Sequence, residues 1–65
     1  MVCVNGRKRR IPQGTTIKKL IELYQLKDKS VVCELNRRVI DRNRYLNTTL
    51  SENDTVEIVH FVGGG

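Results

Sequence analysis

The dipeptide Asn5-Gly6, directly after Val2-Cys3-Val4, constrains the fold of this chain more than any other local feature. Both residues accept the positive φ angles of a two-residue hairpin turn, whose twist suits the strands on either side. The chain therefore opens with a strand, reverses, and returns antiparallel over Arg7 to Ile11. That returning strand begins Arg7-Lys8-Arg9-Arg10, so it belongs at a sheet edge, where basic side chains stay in water and discourage edge-to-edge pairing. Pro12 ends it, because proline lacks the donor a ladder needs.

The next segment changes period. Ile17, Leu20, Ile21 and Tyr24 stand at i, i+3, i+4 and i+7, the one-face pattern of an amphipathic helix. Thr15 or Thr16 is placed to cap it. A helix over 16–25 is predicted, with Leu23 and Leu26 widening its apolar face and with Lys18, Lys19 and Glu22 on the other side. The two lysines oppose the dipole of the first turn, and local sequence gives no reason for them.

Strand character returns at Val31 to Leu35, with Val31, Cys33 and Leu35 inward. Asn36-Arg37 makes a tight turn into a short strand around Arg38-Val39-Ile40. Residues 41–46 are expected to hold one helical turn pinned by Tyr45 and Leu46. A turn at Ser51-Glu52-Asn53-Asp54 precedes a last strand from Thr55 to Val62. Right-handed crossover places that strand parallel beside the first. The order predicts an α+β fold, a mixed sheet of about four to five strands with one helix packed on one face.

At 65 residues, such a domain buries only about 60% of the surface its unfolded chain exposes. A core that thin leaves little room for a deep pocket, which argues for a module that enzymes act upon. No apolar run approaches the roughly 20 residues that cross a bilayer, and no leader-like segment opens the sequence, so a cytoplasmic location is expected. Cys3 and Cys33 lie in strand-like runs without metal-ligand spacing, so two reduced thiols and no metal site are expected. The formal charge of +5 fits an anionic partner of some kind, an acidic protein surface or nucleic acid.

The distinctive chemistry lies at the end. Val56-Glu57-Ile58-Val59-His60-Phe61-Val62 runs straight into Gly63-Gly64-Gly65. Side-chain-free residues cannot pack, so 1–62 is expected to form the domain and 63–65 a flexible tail. Extended, Val62 to Gly65 spans on the order of 13 Å, enough to thread a carboxylate into a cleft on another protein. A carboxylate resists nucleophilic attack. Condensation with ATP gives an acyl-adenylate, from which a sulfur nucleophile can displace AMP. No catalytic side chain is needed on the carrier.

With these residues in hand, the chain resembles the ThiS family, the sulfur carriers of thiamin biosynthesis. The resemblance rests on the strand ending in Asn5-Gly6, the helix Ile17 to Tyr24, the strand end Glu34-Leu35-Asn36, and above all Asp54 through Gly65. It implies the ubiquitin-like β-grasp fold and a non-enzymatic carrier with no tightly bound cofactor. It further implies that a ThiF-type adenylyltransferase activates Gly65 with ATP. A persulfide derived from a cysteine desulfurase then supplies sulfur to give a thiocarboxylate, and thiazole synthase receives it. Gly63 and Gly64 would thread the partners' active sites.

Alternation along the last strand puts Val56, Ile58, His60 and Val62 on one face and Thr55, Glu57, Val59 and Phe61 on the other. Val59 and Phe61 are thus candidates for partner docking, the plainer alternative being that Phe61 covers a thin core. His60, alone, reads as a solvated strand residue rather than an acid or base. Cys3 reads as a packing residue, although the basic strand beside it invites comparison with a reactive thiolate. The rival signal is Arg7 to Arg10 with Arg37, Arg38, Arg42 and Arg44, which would suit a small nucleic-acid-binding module. Such modules favour exposed aromatics, and only Tyr24, Tyr45 and Phe61 are present, with Tyr24 assigned to the buried helix face. A carrier serving another pathway, such as molybdopterin synthesis, or a ubiquitin-like conjugated modifier, shares the same signature.

Overall fold

The computed structural model describes residues 1–61. Strand β1 (Val2–Val4) turns at Asn5 and Gly6, with φ of 51° and 83°, into β2 (Arg7–Arg9). Helix α1 (Ile17–Leu23) crosses to β3 (Val31–Leu35), which turns into β4 (Arg38–Ile40), and β5 (Thr55–His60) closes the sheet. Strand order is β2-β1-β5-β3-β4. Four neighbouring pairs join the strands, and only β1 and β5 run parallel. The mixed sheet with its last strand parallel beside the first is the expected one, and β2 is an edge strand with all three residues exposed.

Alternation sorts the two faces. Val2 and Val4 of β1, Val31 and Cys33 of β3, and Val56 and Ile58 of β5 are buried against Ile17, Leu20 and Ile21 of α1. Tyr45 and Leu50, from the irregular stretch between β4 and β5, close the core from the side. The other face of the sheet carries no helix among the described residues.

Several sequence expectations are corrected. The second strand stops at Arg9, short of Ile11. The helix ends at Leu23, two residues early. Gln25 takes a left-handed φ of 60°, its N–H donates to the Glu22 carbonyl at 2.9 Å, and the Leu26 N–H donates to the Ile21 carbonyl at 3.1 Å. Those two bonds form a Schellman stop that no glycine announces. Leu26 consequently packs on the core as the residue beyond the cap, not as part of the helix face. Leu23 is 56% exposed and widens nothing. Residues Arg42–Arg44 do form a 3₁₀ turn pinned by buried Tyr45, but Leu46 is 67% exposed and takes no part.

Thr16, not Thr15, is the cap: its Oγ1 accepts from the Lys19 N–H at 3.1 Å. Thr15 instead donates to the Pro12 carbonyl at 2.7 Å. Lys18, unexplained by local sequence, reaches Asp28 at 2.9 Å. That contact holds its ammonium above the usual lysine range, the hydrogen bond to Asp28 outweighing desolvation.

Candidate functional site

The site expected from the sequence is the end of β5 together with the glycines beyond it. Gly63, Gly64 and Gly65 lie outside the described residues, as does Val62, so the last strand is seen only as far as His60. The structure therefore defines the platform from which the glycines depart. β5 is central, flanked by β1 and β3, and its final pairings are Val59 with Val32 and His60 with Val31. One more bond, from the Phe61 N–H to the Ser30 carbonyl at 3.0 Å, continues the ladder past the strand's last residue. Backbone pairing on the β3 side thus holds the strand as far as Phe61.

The sheet pairings also define the uncovered face. Val59 stands opposite Val32, Glu57 opposite Glu34, and Glu34 opposite Val39. Residues directly opposite in a ladder share a face, so Val32, Glu34, Val39, Glu57 and Val59 form one contiguous surface. Thr55, Cys3 and Lys8 continue it towards β2. Val39, Val59 and Phe61 are 65%, 57% and 50% exposed. Phe61 is therefore not a lid on the core. Alternation along β5 places Glu57 with Val59 and Phe61, but its assembly with Val32, Glu34 and Val39 was not read from the sequence, because the cross-strand register depends on residues far apart in the chain.

His60 falls on the helix side of the sheet by alternation yet is exposed, because the core ends at Ile58. Among the described residues no group of three or more His, Cys, Asp or Glu could hold a metal ion. Cys33 is buried between sheet and helix, and desolvation pushes its thiol up to about 11, with Glu34 adding in the same direction. A thiol held protonated in this way is inert at neutral pH. Cys3 is half-buried and free.

The basic residues of the two outer strands stand apart. Arg7, Lys8 and Arg9 occupy β2 and Arg38 occupies β4, the opposite edges of a five-stranded sheet, roughly 19 Å apart at the usual strand spacing. Tyr24 is only half-buried rather than sunk in the core. Its hydroxyl accepts from Arg9 Nη1 at 3.2 Å, and the guanidinium carbon lies 5.4 Å from the ring centroid. No helix among the described residues is long and apolar enough to cross a membrane.

The comparisons with known proteins bear on this platform directly. The ThiS family model matches residues 2–65, glycine end included. The chain belongs to the ThiS family. The resemblance to the sulfur carriers of thiamin biosynthesis is thereby confirmed as membership. The sulfur carrier protein ThiS of Bacillus subtilis is 42% identical over 66 residues, covering all of both chains. The crystal structure of the thiamine biosynthesis protein ThiS from Geobacter metallireducens superimposes with a TM-score of 0.82 at 28% identity, over 98% of this chain and 97% of that one. The five strands and single helix are accordingly those of the family's β-grasp fold. A protein named thiazole synthase from Magnetococcus marinus is 36% identical over 62 residues, 95% of this chain but only 19% of that protein's length. A ThiS-like segment thus occurs as about a fifth of a larger enzyme.

Proposed function

We propose that the chain carries sulfur on the carboxyl group of Gly65 and delivers it for thiazole formation in thiamin biosynthesis. The observation that carries this reading is the family match running through residue 65. Residues 1–62 serve as the recognition domain and 63–65 as the reactive tail.

The chemistry is acyl activation followed by sulfur transfer. A Gly65 carboxylate oxygen attacks the α-phosphorus of ATP, pyrophosphate leaves, and an acyl-adenylate forms in the site of a ThiF-type adenylyltransferase. The terminal sulfur of a protein persulfide, charged by a cysteine desulfurase, attacks the acyl carbon and AMP departs. This step leaves an acyl disulfide. A second thiol reduces its S–S bond and releases the thiocarboxylate, with a disulfide as the oxidised product. Gly63 and Gly64 give a thread without Cβ atoms, which suits entry into narrow clefts. ATP is consumed by the partner and no cofactor is resident.

Two features support thiazole synthase as the acceptor. The ThiS-like segment of the Magnetococcus marinus enzyme joins the two components in one chain, and fusion makes their encounter intramolecular. The exposed Val59 and Phe61, adjoining the tail in sequence, supply apolar area for docking.

The test is reconstitution. With a ThiF-type enzyme and ATP, the chain should support ATP–pyrophosphate exchange, and the chain lacking Gly64 and Gly65 should fold normally and support none. Exchange that persists without those residues would contradict the assignment.

A further inference from the structure

The outer edge of β2 has no strand beside it among the described residues, and its backbone groups are aimed outward. In an antiparallel strand each residue sends its N–H and C=O to the same side, and successive residues alternate. The Cys3 N–H donates to the Asp54 carbonyl at 2.9 Å, on the β5 side of β1. Cys3 and Lys8 are therefore a pair without mutual hydrogen bonds, and the Lys8 N–H and carbonyl face the free edge. Beside that edge, on the helix side of the sheet, lies a groove of about 350 Å³ between the end of β2 and α1. Ile11, Pro12 and Leu23 give it apolar walls, and Arg9, Arg10 and Tyr24 add the polar ones. The exposure of Leu23, which the helix's buried face does not explain, belongs to this groove.

The charges select what fits. Arg7 and Arg9 stand opposite Val4 and Val2, which pack on the helix side, while Lys8 shares the open side with Cys3. The ion pairs among the described residues are Met1 with Glu52 and Lys18 with Asp28, and none of Arg7 to Arg10 is in them. Arg9 is positioned all the same: its Nη1 donates to the Tyr24 hydroxyl at 3.2 Å, with the guanidinium 5.4 Å from the ring centroid. A guanidinium has further N–H groups to offer a carboxylate. Basic side chains on an edge repel another basic strand, a second copy of β2 included; the same charges attract an acidic one. We propose that the β2 edge and the groove beside it bind an extended acidic segment of a partner protein, which adds to the sheet alongside Lys8. Because side chains alternate along a strand, its apolar residues enter the groove against Ile11, Pro12 and Leu23. The carboxylates between them reach Lys8 on the other face, and one at the groove's mouth meets Arg9 or Arg10. A nucleic acid has neither a peptide backbone for the edge nor apolar side chains for the groove, and Tyr24, the aromatic residue here, is engaged by Arg9. β2 lies beyond β1 from β5, so a chain held by this edge keeps Val59 and the end of β5 clear.

The test titrates the full chain into a dye-labelled, end-capped peptide of about eight residues in which valine and glutamate alternate, read by fluorescence anisotropy. Saturable binding is expected, weaker at higher salt and lost when lysine replaces glutamate in the peptide. Leu23→Asp, at an exposed position, should weaken binding about tenfold or more. Lys8→Pro should do the same, because it removes the outward N–H and leaves the β1 ladder intact. Lys8→Ala, which loses the charge and keeps the N–H, should weaken it only about threefold. Melting temperatures establish that the variants fold, and amide shifts of the unsubstituted chain give a reading that needs no variant. On adding peptide those shifts should centre on Lys8 and Leu23, not on Val59 and Phe61. Absence of saturable binding, shifts centred elsewhere, or equal effects of Lys8→Pro and Lys8→Ala would overturn the inference. Tighter binding of a single-stranded oligonucleotide to the same residues would overturn it in favour of nucleic acid. None of these outcomes bears on the role of Gly65, so the carrier reading stands or falls separately.

Discussion

The side chain of Asn5 holds both backbone groups of Ile58. Its Oδ1 accepts from the Ile58 N–H at 2.7 Å and its Nδ2 donates to the Ile58 carbonyl at 3.3 Å. The Asn5 N–H meanwhile donates to the Val56 carbonyl at 2.9 Å, so the side chain extends the parallel β1–β5 ladder beyond the end of β1. One residue thus shapes the first turn and fixes the register of the strand that leads to the glycines. Asn5→Gly keeps the positive φ and removes the side-chain bonds, and should cost about 1–2 kcal/mol. Urea denaturation with an unchanged slope checks this; stability equal to that of the parent would show that the clamp contributes nothing.

Gln25 occupies the left-handed position that ends α1, with φ of 60°. Glycine adopts that conformation without strain, whereas other residues are disfavoured there by about 1 kcal/mol. Gln25→Gly should therefore raise stability by about 0.5–1 kcal/mol, visible as an upward shift of the thermal midpoint. A fall would mean that the Gln25 side chain does something not evident from the helix stop.

How much of this was legible in the sequence depended on how local its cause was. Asn5-Gly6 and the Ile17-Leu20-Ile21-Tyr24 spacing act within a turn or two of chain, and the hairpin and helix followed from them. The early helix stop did not, because Gln25 gives no sign that it will adopt a glycine-like conformation. Leu23 and Leu46 depart from expectation because hydrophobicity alone cannot tell which apolar residues a thin core has room to cover. Lys18 found its reason in Asp28, ten residues away. Of the candidate site, the proposal for the glycine end came from chemistry and family resemblance, while the exposure of Val59 and Phe61 on the open face followed from strand alternation. The pairing of Glu34 with Glu57 was not legible, since register between β3 and β5 is a tertiary property.

Burial raises the Cys33 thiol to about 11, which makes stability depend on alkaline pH. Between the ordinary thiol pKa and the raised one, the unfolded chain has released a proton that the folded chain retains, so unfolding becomes more favourable as pH rises. Stability should fall by on the order of 2 kcal/mol from pH 9 to 11 through this group. Tyr45, whose phenol burial also shifts upward, adds in the same direction, as does loss of the Lys18–Asp28 contact. Cys33→Ala should be less stable at pH 7 and show a shallower alkaline decline. An identical decline would assign the whole effect to the other groups.

Val59 and Phe61 can be charged without touching the core, because both are largely exposed on the far side of the sheet from α1. Val59→Asp and Phe61→Asp should leave the melting temperature within a few degrees of the parent. Each should reduce partner binding about tenfold or more if the face docks as proposed. Pull-down titration against the activating enzyme and thiazole synthase separately would show whether both use it. Unimpaired binding to both would remove these residues from the docking surface.

Gly65, on the proposed function, is the sulfur-bearing end of this molecule, and every other role assigned to the chain serves it. Intact mass spectrometry of the chain taken from thiamin-starved cells tests that role most directly. The expected result is a population heavier by the substitution of one oxygen by sulfur, localised by fragmentation to Gly65 and absent when Gly64 and Gly65 are deleted. A chain of unaltered mass under active thiamin synthesis, or sulfur found on Cys3 or Cys33 instead, would contradict it.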